Sequence, residues 1–211
     1  MTLERCLLAI SLSNPAKPAL GQAGRQGQKM YGLVNNALQN MVSDEHGQDV
    51  WQRIVARVPD CPREFVSMET YSDEVTYGLV GATCEELGVE AGSFLHELGE
   101  YWIPYASRAG YSAFLERGGR SLPEFLQGLD AMHSRLALTY SKLKPPSFRV
   151  SDIEDTSLRL HYYSDRPGLQ TFVVGLLHGL AKRFGTTVEV ELLEGREMQS
   201  DHDTFLVRYG S

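Results

Sequence analysis

The stretch Leu158-Arg-Leu-His-Tyr-Tyr-Ser-Asp-Arg166 decides how the second half of this chain is interpreted. Apolar and polar residues alternate along it with a period of two, which predicts a β-strand. One face of that strand then carries five of its residues: Leu158, Leu160, Tyr162, Ser164 and Arg166. This face begins apolar and ends with a phenol, a hydroxyl and a guanidinium, all of which donate hydrogen bonds. A flat apolar ligand with acidic tails would fit it, and so would an edge strand that pairs with a nearby acid.

The sequence around this strand predicts an antiparallel sheet that is interrupted once by a helix. Period-two patterns indicate four strands, at residues 147–150, 158–164, 188–193 and 204–209. A helical pattern from about residue 168 to residue 184 lies between the second and third of them. The fold class is therefore α+β, with a helical N-terminal half followed by a four-stranded, mainly antiparallel sheet and one inserted helix.

The first half of the chain, from residue 30 to about residue 140, has the three- and four-residue apolar spacing of helices. Two of these helices are predicted at residues 73–87 and 92–105. The segment Ser121-Leu-Pro-Glu124 is a helix start, with a capping hydroxyl, a proline in the first turn and a glutamate three residues later. The helix that follows it runs to about Tyr140.

Composition excludes several classes of protein. The chain has 20 Lys and Arg against 27 Asp and Glu, a net charge of −7, which argues against a nucleic-acid binder driven by bulk charge. Its cysteines, Cys6, Cys61 and Cys84, form no C-x-x-C pair, as is typical of a reducing compartment. The apolar run near the start is too short to span a membrane and resembles a signal peptide only weakly. We therefore expect a soluble, cytoplasmic protein.

The N-terminal segment differs sharply from the rest of the chain. Residues 13–29 lack aromatic residues and are rich in Gly, Pro, Ala and Gln, which predicts disorder. Residues 1–29 are accordingly expected to be a disordered extension, or to lie upstream of a true start at Met30. The domain proper is expected to cover residues 30–211.

His133 is the first candidate metal ligand, because it lies on the apolar face of the helix that begins after Ser121. A neutral imidazole is a common axial ligand of haem iron, and a helix holds the ring rigidly. On position alone, however, a core histidine that is satisfied by one hydrogen bond is the more frequent explanation. The helix by itself leaves both interpretations open.

The other histidines are weaker candidates. His161 and His178 have apolar neighbours but no second ligand at metal spacing in the sequence. Three histidines with polar neighbours are predicted to be solvated: His46, His96 and His202. His202 stands between Asp201 and Asp203 and could bind a metal loosely, but a polar hairpin tip is the more frequent explanation of that pattern.

Four segments, in this order, resemble the H-NOX family, the haem nitric oxide/oxygen-binding domain that is also found in soluble guanylate cyclase. They are Met30-Tyr-Gly-Leu-Val-Asn35, Phe125-Leu-Gln-Gly-Leu-Asp-Ala-Met-His133, Pro145-Pro-Ser-Phe148 and Tyr162-x-Ser164-x-Arg166. The first is similar to the family's first helix, the second to the segment with the proximal iron ligand, and the last to its Y-x-S-x-R motif. The resemblance covers residues 30–211.

This resemblance implies a haem b that is held without a covalent bond, between a helical distal side and a proximal side with His133 as the iron ligand. Tyr162, Ser164 and Arg166 would bind the haem carboxylates. Pro146 matches the position of a proline that presses on the porphyrin in this family. Under this interpretation His133 is an iron ligand rather than a core histidine.

The resemblance also indicates which gas is bound. Oxygen-binding members carry a tyrosine at the position that here corresponds to Phe172, and phenylalanine cannot donate a hydrogen bond to bound O2. Val34 and Leu38 are expected to line the distal wall without polar groups. Trp102 is expected to border the pocket, and its indole N–H is the one donor that could oppose this interpretation. A sensor that binds NO and CO and discriminates against O2 is therefore expected.

In its size and its lack of a cyclase domain, this chain resembles the bacterial members of the family. Those members are sensors that regulate a separate histidine kinase or a cyclic-di-GMP enzyme (a diguanylate cyclase or phosphodiesterase). The chain is thus expected to be a receptor and not an enzyme, without nucleic-acid or membrane partners. Three alternatives stay open at this point: a haem protein that buffers NO without signalling, an O2-binding sensor, and a non-haem module for another carboxylated apolar ligand.

Overall fold

The computed structural model describes residues 29–140, 144–195 and 200–210. Its helices are α1 (Gly32–His46), α2 (Gln48–Val55), α3 (Asp73–Leu87), α4 (Ala91–Ala106), α5 (Ser112–Arg117), α6 (Leu122–Thr139) and α7 (Gln170–Phe184), with a π-helical segment at Ser107–Tyr111. Its strands are β1 (Lys29–Tyr31), β2 (Thr70–Ser72), β3 (Ser147–Ser151), β4 (Ser157–Tyr163), β5 (Thr187–Glu194) and β6 (Asp203–Gly210). The α+β fold class is confirmed. The N-terminal extension expected at residues 1–29 lies outside the described residues, apart from Lys29.

The chain divides into two compact units, one up to Leu98 and one from Gly99 onward. In the first unit, α1, α2 and α3 are joined by a two-stranded sheet in which β1 and β2 pair antiparallel, with Met30 opposite Tyr71. α3 matches the helix predicted at residues 73–87, and the Ser72 hydroxyl caps it by accepting a hydrogen bond from the Glu74 amide.

The apolar spacing predicted a helix from Met30 onward. The first residues are instead extended, because residues 29–31 form strand β1. α1 begins at Gly32, whose amide donates to the Glu69 carbonyl at 2.9 Å. A Cβ at this position would stand 2.2 Å from the Val66 carbonyl oxygen, so only glycine fits here. Packing against a distant loop, rather than local spacing, sets the start of the helix.

The second unit is built on a four-stranded sheet with strand order β3-β4-β6-β5, in which every neighbouring pair is antiparallel. All four strands predicted from the period-two patterns are present. α7 connects β4 to β5, as expected of the inserted helix. α6 begins at the predicted cap, where the Ser121 hydroxyl accepts from the Glu124 amide at 3.4 Å.

One face of this sheet closes a hydrophobic core with α6 and α7. From β4 the core takes Leu158, Leu160 and Tyr162, which are almost completely buried, and the residues between them are more exposed. The predicted alternation is therefore correct as far as Tyr162. The strand prediction is wrong beyond Tyr163, where β4 ends: Ser164 follows the strand directly and the chain bends from Asp165 onward, so Ser164 and Arg166 are not part of the strand.

No helix among the described residues combines the length and the apolar character that crossing a membrane requires.

Candidate functional site

His133 is half-buried in the last two turns of α6 and is oriented by the chain that follows the helix. Its Nδ1 lies 3.0 Å from the carbonyl oxygen of Pro146, 13 residues later in sequence. A carbonyl can only accept a hydrogen bond, so Nδ1 carries the proton and the lone pair of the neutral ring is on Nε2. One ring nitrogen is thus fixed by the backbone, and the other keeps its capacity to bind a metal.

The same environment keeps this imidazole uncharged. Burial lowers the pKa of His133, and the hydrogen bond to Pro146 and the charge of Asp130 oppose that effect only in part. At neutral pH the ring is therefore neutral, which is the form that coordinates a metal ion.

Asp130 lies one helical turn before His133 and attaches α6 to the start of β3. Its Oδ1 accepts hydrogen bonds from the Ser147 hydroxyl at 2.7 Å and from the Phe148 amide at 3.1 Å. The bond from Ser147 is the main reason why the pKa of Asp130 is lowered, with burial acting against it. With the bond from His133 to Pro146, three consecutive residues of the turn into β3 are held by α6.

A row of aromatic rings connects His133 to Tyr162. The ring of Phe148 lies 5.5 Å from the imidazole of His133 and 5.2 Å from the ring of Tyr162, measured between centroids. Tyr162 is only 4% exposed, and it stands opposite Phe148 in the β3–β4 register. Strand pairing and α6 thereby bring His133, Pro146 and Tyr162 into one region.

Ser164 and Arg166 lie in the turn that follows β4. The Ser164 hydroxyl accepts a hydrogen bond from the Arg166 amide at 3.1 Å, a local side-chain turn that sets the direction of the chain after the strand. Both residues are half-buried and close in sequence to Tyr162. The Y-x-S-x-R motif is thus one strand-end residue followed by a turn, not three residues of one strand face.

Trp102 and Phe172 lie in the same unit, on α4 and α7. Both are half-buried, and Trp102 packs against the core of this unit with its ring tilted against that of Tyr105 at 6.1 Å. α4 and α7 approach closely, because a Cβ on Gly99 would stand 2.3 Å from the carbonyl oxygen of Phe172. This close crossing fixes the backbone from which the Phe172 side chain projects.

Val34 and Leu38 belong to α1 in the first unit. Leu38 is completely buried and Val34 is half-buried, one helical turn earlier. Asn35, which follows Val34, is also buried, and its Oδ1 accepts a hydrogen bond from the Thr76 hydroxyl at 2.8 Å. The expected distal residues thus lie on a helix that is tightly packed within its own unit.

Sequence reasoning missed Asp130. Its signal was present, since Asp130 and His133 are three residues apart and therefore lie on one side of a helix. An acid one turn from a candidate ligand is able to hold the segment that orients that ligand. Its partners, Ser147 and Phe148, could not be identified without the geometry of the turn into β3.

Comparison with known proteins adds a family to this geometry. A family model described as Haem-NO-binding matches residues 31–192. Guanylate cyclase soluble subunit beta-2 of Rattus norvegicus is 40% identical over 121 residues, 54% of this chain and 18% of that protein. Soluble guanylate cyclase gcy-31 of Caenorhabditis elegans is 30% identical over 168 residues, 78% of this chain and 24% of that protein. The chain therefore spans less than a third of the length of these relatives.

Solved structures have the same fold. An H-NOX protein from S. oneidensis, determined in the Fe(II)NO ligation state, superimposes with a TM-score of 0.79 and 18% sequence identity. The alignment covers 86% of this chain and all of that one, 100%. At this identity the likeness establishes the fold, and the site residues rest on the geometry described above.

Proposed function

Because this chain belongs to the Haem-NO-binding (H-NOX) family of haem-based gas sensors, we propose that it binds NO and CO at a ferrous haem b, discriminates against O2, and signals to a separate protein. The proposal goes beyond the family in three respects: the residues that hold the cofactor, the choice of gas, and the partner.

The orientation of His133 is the observation that carries this proposal. A ligating histidine commonly donates its second ring N–H to a carbonyl or carboxylate, which fixes the tautomer and makes the other nitrogen more basic. The bond from Nδ1 to the Pro146 carbonyl has this form, and burial keeps the ring neutral. His133 would therefore hold the haem iron through Nε2.

The residues around His133 also fit the rest of a haem. Phe148 and Tyr162 supply aromatic surface, and the Tyr162 hydroxyl with Ser164 and Arg166 supplies donors for carboxylates. Pro146 adds a rigid ring directly beside the histidine's own hydrogen bond. When bound, the haem would supply a ferrous iron with one open position for a diatomic gas.

The proposed selectivity rests on what the expected distal residues cannot do. The side chains of Phe172, Val34 and Leu38 have no hydrogen-bond donor. A donor is more important for bound O2 than for bound NO, because bound O2 carries negative charge on its outer oxygen. Trp102 is the one member of the expected pocket that has an N–H, and its packing against the core of the second unit favours a space-filling role.

The contacts of α6 indicate how a change at His133 reaches the surface. His133 and Asp130 hold Pro146, Ser147 and Phe148, so a shift of α6 would move the start of β3 with it. β3 is an edge strand of the sheet, and edge strands are accessible to a partner. We propose a histidine kinase or a cyclic-di-GMP enzyme as that partner, with this chain as the receptor and not the enzyme.

The test is the variant His133→Gly, prepared alongside His178→Gly, which removes a half-buried histidine from another helix of the same unit. The first is expected to lose normal haem loading, measured from the Soret absorbance per protein, and to regain it with added imidazole, which can occupy the vacated space. The control is expected to load haem without imidazole. Full loading of His133→Gly without imidazole would exclude this residue as the axial ligand.

A second measurement separates a sensor from a protein that only buffers NO. A sensor is expected to change the activity of a co-purified or genetically adjacent kinase or cyclic-di-GMP enzyme when NO binds. A buffer would bind NO equally well and leave that activity unchanged.

A further inference from the structure

His161 and His202 form a second group of ring nitrogens, away from His133. His161 alternates with the buried Tyr162 along β4 and so points to the opposite face of the sheet. Its Nδ1 lies 3.0 Å from Nε2 of His202. The Thr204 hydroxyl lies 3.4 Å from the first nitrogen and 3.3 Å from the second. We propose that these three atoms form a binding site for one divalent transition-metal ion, of which Zn²⁺ is the representative.

The distances fit the face of a coordination polyhedron. Four-coordinate zinc binds nitrogen and oxygen at about 2.0–2.2 Å, which separates neighbouring ligand atoms by about 3.4 Å. The three atoms here form a triangle with edges of 3.0, 3.3 and 3.4 Å. An ion about 2.1 Å from each of them would stand about 1 Å above their plane, with each ring turned so that its lone pair points to the ion and not to the other ring.

The outer nitrogens of both rings already have the partners that ligating histidines use. His202 Nδ1 lies 2.5 Å from a carboxylate oxygen of Asp201, and His161 Nε2 lies 2.8 Å from the Ser151 hydroxyl. A carboxylate–histidine–metal arrangement of this kind orients the ring and raises its basicity. The Asp201–His202 pair therefore supports a metal site more strongly than two adjacent histidines would alone.

The protons can be assigned along this chain of hydrogen bonds. Asp201 only accepts, so His202 carries its proton on Nδ1 and its lone pair on Nε2. His161 must then donate from Nδ1 to that lone pair and accept from the Ser151 hydroxyl at Nε2. Metal binding requires the His161 proton to move from Nδ1 to Nε2, from which it donates to the Ser151 oxygen. No net proton is released, because the His161 proton only moves to the other ring nitrogen and His202 already has a lone pair on Nε2.

The surroundings hold both rings in place. The ring of Tyr163 stacks on that of His202 at 4.2 Å with an interplanar angle of 18°, and Arg149 covers Tyr163 at 5.2 Å. The β4–β6 register places His161 directly opposite Thr204. The polar neighbours of His202 in sequence predicted a solvated side chain. That prediction is wrong, since the side chain is only 15% exposed. Rigid, partly buried ligands lose little entropy when they bind an ion.

The donor types define the class of metal. Two imidazole nitrogens and a hydroxyl favour Zn²⁺, Cu²⁺ or Ni²⁺ over Ca²⁺ and Mg²⁺, which prefer sets of oxygen ligands. The negative charges of Asp152 and Glu194 act on His161 and favour a cation there, with Arg159 acting against them.

The experiment is a calorimetric titration of the purified, haem-containing protein with ZnCl₂ at neutral pH. His161→Gln and His202→Gln are each expected to weaken Zn²⁺ binding at this site at least about tenfold, and Asp201→Asn about tenfold or more through its hold on the ring. Three matched controls should keep the affinity of the unmodified protein: His46→Gln, His178→Gln and Asp155→Asn. Circular dichroism confirms that each variant is folded.

A spectroscopic measurement tests the proton assignment independently. Long-range ¹H–¹⁵N correlation spectra of the histidine rings should show His161 as the Nδ1–H tautomer without zinc and as the Nε2–H tautomer with it. The proposal is overturned if no Zn²⁺ binds at concentrations up to roughly 100 μM, a weak-binding limit. It is equally overturned if binding survives in both His161→Gln and His202→Gln, or is lost only in His178→Gln, which would place the ion beside Glu100.

Discussion

Two histidine arrangements in the second unit use the same side chain in different ways. His133 is a single ring that is anchored by a backbone carbonyl and bordered by aromatic side chains. His161 and His202 are hydrogen-bonded to each other within a chain of polar groups that ends at Asp201. In the first arrangement one nitrogen keeps a lone pair in apolar surroundings. In the second, a proton stands between two nitrogens where we propose that a metal ion binds.

The partners of a histidine, rather than its burial, determine what it can bind. Both arrangements are partly buried, and in both burial lowers a histidine pKa. Apolar neighbours such as Phe148 suit a large flat cofactor on one side of the ring. A triangle of polar atoms suits a small bare ion.

The largest expected effect comes from adding a polar donor to the apolar surroundings of the proposed gas site. In Phe172→Tyr a phenol is expected to stabilise bound O2 by about 1.5–3 kcal/mol, roughly ten- to hundredfold in affinity, as for a hydrogen bond to a charged group. The measurement is the absorption spectrum of the ferrous protein in air.

Phe172→Leu is the control, because it changes the ring without adding a donor and should form no oxygen complex. If Phe172→Tyr also forms none, residue 172 does not face the gas and the selectivity argument fails.

A smaller effect is expected from loosening the anchor of His133. Asp130→Ala removes the acceptor for Ser147 and Phe148, which should weaken haem affinity about tenfold, the lower end for a residue that positions a metal ligand. Asp130→Asn keeps an acceptor oxygen and should recover most of the affinity. Haem transfer to apomyoglobin measures both.

Asp155→Ala, at an exposed acid of the same unit, is the matched control. Equal haem affinity in Asp130→Ala and in this control would show that the contacts of Asp130 do not orient His133.

The smallest effect is a dependence of stability on pH. The folded pKa values of His133 and His161 lie below the ordinary value of about 6.5, so the unfolded chain takes up protons first as the pH falls. The free energy of unfolding is therefore greatest above about pH 6.5 and declines below it. Urea midpoints between about pH 7.5 and pH 5.5, above the range of most carboxylates, should fall accordingly. His133→Gln and His161→Gln should each flatten the decline, and midpoints that rise on acidification would contradict the sign.

Local patterns predicted most of the fold, because they are set by residues close in sequence. The period-two stretches gave all four strands of the sheet, and the capping serine Ser121 gave the start of α6. The errors occur where distant residues decide. The start of α1 depends on the distant Val66 carbonyl beside Gly32. The end of β4 at Tyr163 is an exception, because the turn that follows it is stabilised locally by Ser164 and could have been predicted from the sequence.

The candidate sites also differ in how far residues close in sequence could predict them. His133 could be proposed from its helix and from the family resemblance, although its bond to Pro146 could not. The His161–His202 pair could not be predicted, because 41 residues separate the two rings and only the pairing of β4 with β6 brings them together. A histidine without a nearby second ligand in sequence can therefore still have one in the folded sheet.

We propose that this chain holds a ferrous haem which binds NO and CO but not O2. The absorption spectrum of the purified, reduced protein, recorded under argon, then with CO, with NO and in air, tests it most directly. We expect a Soret band that shifts with CO and with NO, and no stable oxygen complex in air. A stable oxygen complex would contradict the proposed selectivity, and the absence of any Soret band after reconstitution with haem would contradict the claim as a whole.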